Sequence, residues 1–88
     1  MARVSRTAAD WSRALPRPLI IPGVMTLATL ADVRFLIRKH LPAHFRDKRT
    51  WQHVAAKLDK AAAGGDAADV SVALRIALSL EGVECRPR

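Results

Sequence analysis

Three stretches of the chain place their large aliphatic residues at helical spacing, each bracketed by residue types that start and stop helices. In the first, Leu30, Val33, Leu36, Ile37 and Leu41 fall on one face and leave Arg34, Arg38 and Lys39 outside it. Thr29 stands at the N-cap position with Asp32 three residues on, a capping-box arrangement with Asp in place of Glu. Pro42 stops the segment, so the first helix is predicted over residues 29–41. In the second, Trp51, Val54, Ala55, Leu58, Ala61 and Ala62 share one arc, and Gln52, His53, Lys57, Asp59 and Lys60 occupy the other. Gly64-Gly65 supplies the residue that enters the left-handed region at a helix C-terminus, which predicts a helix over residues 49–63. The third begins at Asp66 with Asp69 in its first turn and runs to residue 81, just before Gly82.

This third segment differs in kind. Val70, Val72, Ala73, Leu74, Ile76, Ala77, Leu78 and Leu80 cover most of its circumference, and only Ser71, Arg75 and Ser79 form a polar stripe. A helix apolar on that many sides is buried on more than one side, so it is expected either at the centre of the fold or paired with another copy. Between the first two helices, residues 40–48 read as a connection with one helical turn at 43–46, anchored by Phe45.

The remaining apolar runs are short. Leu19-Ile20-Ile21 and Val24-Met25-Thr26-Leu27 are β-prone and flank Pro22-Gly23, a pair suited to a type II turn and hence to a candidate hairpin. Val83 to Arg86 alternates and is compatible with a short edge strand ended by Pro87. Residues 1–18 close on Pro16-Arg17-Pro18, hold one large aromatic and lack a sustained period, which predicts a flexible basic arm. Trp11 is the residue able to overturn that reading by docking its indole on the helices. The expected fold is therefore mainly α: a three-helix domain within residues 19–86, with room for a short β-hairpin, behind a flexible N-terminal arm.

At 88 residues the chain is one small domain. Of its hydrophobic residues 16 are alanine and only Trp11, Phe35, Phe45 and Trp51 are aromatic, so the core must be small and chiefly aliphatic. Such a core leaves a thin stability margin that contacts with a second copy or a partner would widen. The lone Cys85 cannot form an intramolecular disulfide, which favours a reducing, cytoplasmic setting. The longest uncharged run, 18–31, is too short and too broken by Pro22 and Gly23 to span a bilayer, so no membrane role is expected. Asp10 and the helix that follows argue against a targeting segment.

Charge changes the picture more. Fifteen Lys and Arg face eight Asp and Glu, a formal +7, and eight of the fifteen cations lie in residues 34–60 beside only Asp47 and Asp59. Such a surplus favours polyanionic partners; the competing explanation is that the Ala and Arg richness reflects the base composition of the coding DNA and the charge is simply a solvated surface. The densest cluster gives seven candidate phosphate contacts, Arg38, Lys39, Arg46, Lys48, Arg49, Lys57 and Lys60, extended by His53. Arg3, Arg6, Arg13 and Arg17 form an accessory arm. Phe45 and Trp51 interleave with these cations but fit core positions better than base-stacking ones. A helix-turn-helix across Gly64-Gly65 is disfavoured, because the following helix offers a single Arg to base edges.

Enzymatic constellations are missing. Gly64-Gly65-Asp66 lacks the Lys and Ser or Thr of a phosphate loop, and Cys85 has no histidine near it in sequence. His40 and His44 are four apart but straddle Pro42, and no cysteine or carboxylate set completes a metal site. A site formed only on association, from His40, His44 or His53 with Asp47, is the weakest reading. The expected function is a non-enzymatic binding module without cofactor or metal, directed at nucleic acid or another polyanion. The alternative is a protein-interaction or self-association module that uses the third helix.

Overall fold

The computed structural model describes residues 9–41 and 43–87. It corrects the expected mainly α, three-helix fold: the chain is α+β, with helices packed on a three-stranded antiparallel sheet of order β2-β1-β3. Strand β1 spans Ala14–Ile21, β2 spans Met25–Thr29 and β3 spans Arg86–Pro87. Helix α1 covers Leu30–Phe35 and continues as a π-helical turn through Leu36–His40; α2 is the single turn Ala43–Arg46, α3 spans Arg49–Ala62 and α4 spans Ala67–Leu80.

The central strand is the element that the prolines concealed. In β1, Leu15, Leu19 and Ile21 point into the core. The register with β2 joins Ala14 to Thr29 and then Leu19, Ile20 and Ile21 to Leu27, Thr26 and Met25, with an irregularity between. Pro16 and Pro18 fall in that irregular stretch, where a residue without an N–H breaks no ladder bond. At the hairpin Gly23 has φ +77°, and the Val24 N–H donates to the Ile21 carbonyl at 2.9 Å, as the Pro-Gly turn requires. On the other edge of β1, Leu19 and Ile20 pair with Pro87 and Arg86, so the chain's tail completes the sheet.

The second correction concerns the arm. The Asp10 N–H donates to the Ala62 carbonyl at 2.8 Å, and the carbonyls of Trp11 and Arg13 accept from the N–H groups of Ala31 (2.8 Å) and Leu30 (2.9 Å). Trp11 is half-buried against the core under the Arg34 guanidinium, 4.5 Å from the ring centre. Residues 10–18 are thus tied to α1 and α3 or built into β1. Residues 1–8 lie outside the described residues.

Local chemistry explains the helix ends. The Thr29 hydroxyl accepts from the Asp32 N–H at 3.3 Å, while the Asp32 carboxylate accepts from the N–H groups of Thr29 (3.1 Å) and Ala28 (2.8 Å). Both α3 and α4 end in a Schellman arrangement: Gly64 (φ +116°) donates to Ala61 and Gly65 to Lys60, and Gly82 (φ +73°) donates to Ser79 and Val83 to Leu78. The core is one cluster in which Trp51, Val54 and Leu58 of α3 meet Val70, Leu74 and Leu78 of α4, Leu30 and Val33 of α1, and the inner face of the sheet.

Candidate functional site

The seven expected phosphate contacts do not form one patch. Arg49, Lys57 and Lys60 belong to α3, whose inner face is taken by Trp51, Val54, Leu58, Ala61 and Ala62. With 100° between successive residues, Arg49, His53, Lys57 and Lys60 fall within an arc of about 80° on the opposite side. Arg49, His53 and Lys60 are exposed and Lys57 is half-buried. No carboxylate lies inside that arc. Among the described residues the only ion pairs are Lys48 with Glu81 and Arg86 with Glu84, so these cations remain unpaired.

Arg38 and Lys39 stand apart from them, on the π-helical turn after α1. Arg38 lines a shallow cleft of about 210 Å³ with Trp11, Arg34, Ile37, Ala55, Leu58 and Asp59, and the cleft separates its ridge from that of α3. Arg34 shares this cleft and was not among the expected contacts; its i,i+4 spacing from Arg38 was the available signal. Lys48 is committed elsewhere. Its ammonium lies 2.9 Å from the Glu81 carboxylate and 4.8 Å from the centre of the Phe45 ring, joining the start of α3 to the end of α4. Arg46 belongs to α2, and its side chain lies outside the described residues.

The accessory arginines divide too. Arg17 is exposed on β1. Arg13 has a structural task, because one terminal nitrogen of its guanidinium donates both to the Ala61 carbonyl and to the Gly65 carbonyl, the latter at 2.6 Å. Arg3 and Arg6 lie outside the described residues. Trp51 is 1% exposed and Phe45 is half-buried against the core, so neither face is offered to a base. The indole N–H of Trp51 is buried without a hydrogen-bond partner among the described residues.

A different kind of surface lies on α4. Val72, Ile76 and Leu80 are 59%, 54% and 69% exposed although every one is a large aliphatic residue. They are spaced i, i+4, i+8 and so form a single row along the helix. Beside the row runs an open groove of about 650 Å³, whose far wall is Val83, Glu84 and Cys85. On the other flank a smaller cleft is shared by the row and the basic arc of α3: Val72 and Ile76 line one wall, His53 and Lys57 the other, with Asp69 of α4 between them. The expectation that this helix is central is met only on its inner side: α4 packs on α3 and β1 while its outer side stays open.

Among the described residues no group of three His, Cys, Asp or Glu side chains is close enough to hold a metal ion. No helix among them is long and apolar enough to cross a membrane. No protein-family model matches the chain, and no curated protein or solved structure shows significant similarity to it.

Proposed function

We propose that the chain is a small non-enzymatic module that binds nucleic acid through its phosphates, with the outer face of α3 as the principal contact. The observation that carries this reading is the arc of Arg49, His53, Lys57 and Lys60, to which α3 contributes no carboxylate and which forms no ion pair among the described residues; Asp69 of α4 flanks it across the small cleft. Arg49 adds a second argument. It sits in the first turn of α3, which has no acidic residue of its own, beside the positive end of the helix dipole, where a phosphate would meet the guanidinium and the dipole together. Arg38 and Lys39 form a second ridge that a strand or duplex wider than α3 would reach, with Arg46, Arg17 and the more distal Arg3 and Arg6 as auxiliaries. Lys48 contributes least, because Glu81 already neutralises it. Affinity then comes from counterion release and not from base edges. The exposed row Val72, Ile76 and Leu80 favours a second, compatible property, association through α4. The unbridged Cys85 fits a reducing compartment, and we place the proposed activity in the cytoplasm.

The test is a titration of labelled duplex and single-stranded oligonucleotides at about 50 mM salt and again at about 200 mM. Binding should weaken steeply with salt and change little with base sequence. The double substitution Arg49→Glu with Lys60→Glu should lower affinity by at least about tenfold and flatten the salt slope by roughly two phosphate contacts. Absence of binding at low salt, or an unchanged affinity in the double variant, overturns the reading.

A further inference from the structure

We infer that the cleft between the π-helical turn and α3 receives one unpaired base of a single-stranded nucleic acid, stacked on the Arg34 guanidinium that Trp11 holds in place. The base site rests on the phosphate contacts proposed above and narrows their ligand to a single strand. Three kinds of group line the cleft. Ile37, Ala55 and Leu58 supply apolar surface, Arg34 and Arg38 stand one helical turn apart, and Asp59 faces them from α3. Neither arginine forms an ion pair among the described residues, although Asp59 shares the cleft with them. Arg34 is half-buried and Arg38 exposed, so both guanidiniums reach solvent. That of Arg34 lies over Trp11, 4.5 Å from the ring centre. An indole beneath a guanidinium restrains an otherwise mobile side chain, and a guanidinium held in this way is a surface on which an unstacked base lies flat.

Size and position select the occupant. Pockets for drug-sized ligands hold roughly 300–1,000 Å³, whereas this cleft of about 210 Å³ has room for little more than one planar ring system. It also lies between the two basic ridges, Arg38 and Lys39 on one side and α3 on the other. A strand whose phosphates touch both ridges must cross the mouth of the cleft and present a nucleotide to it. Asp59 repels a phosphate there, which leaves the uncharged base to enter. A duplex cannot follow, because its bases stay paired and stacked, while those of a single strand are free to splay out. The backbone marks the same place. The Leu41 N–H donates to the Leu36 carbonyl five residues back at 3.1 Å, and the π-helical turn so formed, a rare geometry that recurs at functional sites, is the one that carries Arg38. Stacking tolerates any base, so the cleft adds affinity for single strands without reading sequence.

The deciding measurement compares two single strands of equal length at about 50 mM salt, one ordinary and one in which an abasic analogue replaces every nucleoside. Their phosphates are the same and only the bases differ. The full chain should bind the ordinary strand about tenfold more tightly, the worth of one stacked base. Trp11→Leu and Arg34→Gln should each reduce that advantage to less than about threefold. Arg34→Gln keeps Trp11 on the core, so it gives the answer even if Trp11→Leu loosens the fold. Arg49→Glu with Lys60→Glu, by contrast, should weaken both strands alike. Equal affinity of the wild type for the two strands, or an advantage that survives both cleft variants, overturns the base site and leaves the phosphate contacts of α3 standing. Failure to bind either strand ends both.

Discussion

Helices α3 and α4 are alike in length, in how they end and in being packed on each other, yet they turn opposite chemistries to the outside. Each has 14 residues and buries one face in the common core. They are joined at both ends, by Lys48 to Glu81 at one and by Arg13 to the Ala61 and Gly65 carbonyls at the other. The outer side of α3 is polar and basic, as solvent and anions require. That of α4 carries Val72, Ile76 and Leu80, which water does not favour and the fold does not need. Helix packing thus accounts for the inner faces of both helices and leaves their outer faces free to differ; that difference is where function is to be sought.

The largest expected effects test whether the inner faces are equivalent. Trp51 of α3 is 1% exposed and Leu74 of α4 fully buried, so replacing either by Ala removes contacts the core cannot recover. Trp51→Ala should cost about 3–5 kcal/mol and Leu74→Ala about 2–5 kcal/mol. Val72→Ala, on the outer side of α4, should stay within about 0.5 kcal/mol. Urea denaturation at low micromolar concentration gives all three values. A Val72→Ala loss as large as that of Leu74→Ala would place the row inside the monomer and end the contrast.

Next comes the joint between the helices. Arg13 supplies charge-assisted hydrogen bonds to carbonyls on both sides of the Gly64-Gly65 turn. Arg13→Ala leaves the part-buried Gly65 carbonyl unpaired, while the Ala61 carbonyl keeps the Gly64 N–H, and should cost about 1–3 kcal/mol. Arg13→Lys should recover only part of this, because an ammonium lacks the planar fork. If Arg13→Ala alters polyanion affinity without altering the denaturation midpoint, the residue is a contact and not a joint.

The two helices and the hairpin at Pro22-Gly23 were legible in the sequence, and the first half of the central strand was not, for one physical reason. Helical segments announce themselves by a local period and local caps, and Thr29 with Asp32, Gly64-Gly65, Asp66 and Gly82 stand at the ends that the pattern indicates. Residues 14–18 of β1 have no such local signature. Pro16 and Pro18 read as breakers, and they are tolerated only because the pairing partner β2 is irregular opposite them, a property of the tertiary structure. The tail strand holds just Arg86 and Pro87 and exists only because β1 presents an edge. Trp11 was the one residue whose size hinted that the arm is pinned. At the site, cation density was visible, but its division between α3 and the π-helical turn depends on which way each side chain leaves its helix. The engagement of Lys48 with Glu81 spans 33 positions and follows from no local pattern.

The smallest expected effect reads the outer side of α4 without perturbing it. Cys85 lines the groove beside Ile76 and Leu80, and burial pushes its thiol above the ordinary value of 9.0, with the Arg75 guanidinium opposing that shift more weakly. The fold therefore favours the neutral thiol. This contribution to stability is complete at pH values below the unfolded pKa and is lost as pH rises through the folded one. Alkylation proceeds through the thiolate, so the pH–rate profile of the native chain should lie to higher pH than that of the chain in urea. A native profile at or below the unfolded one would mean that the groove is as wet as the outer side of α3, and the two helices would then differ in composition but not in environment.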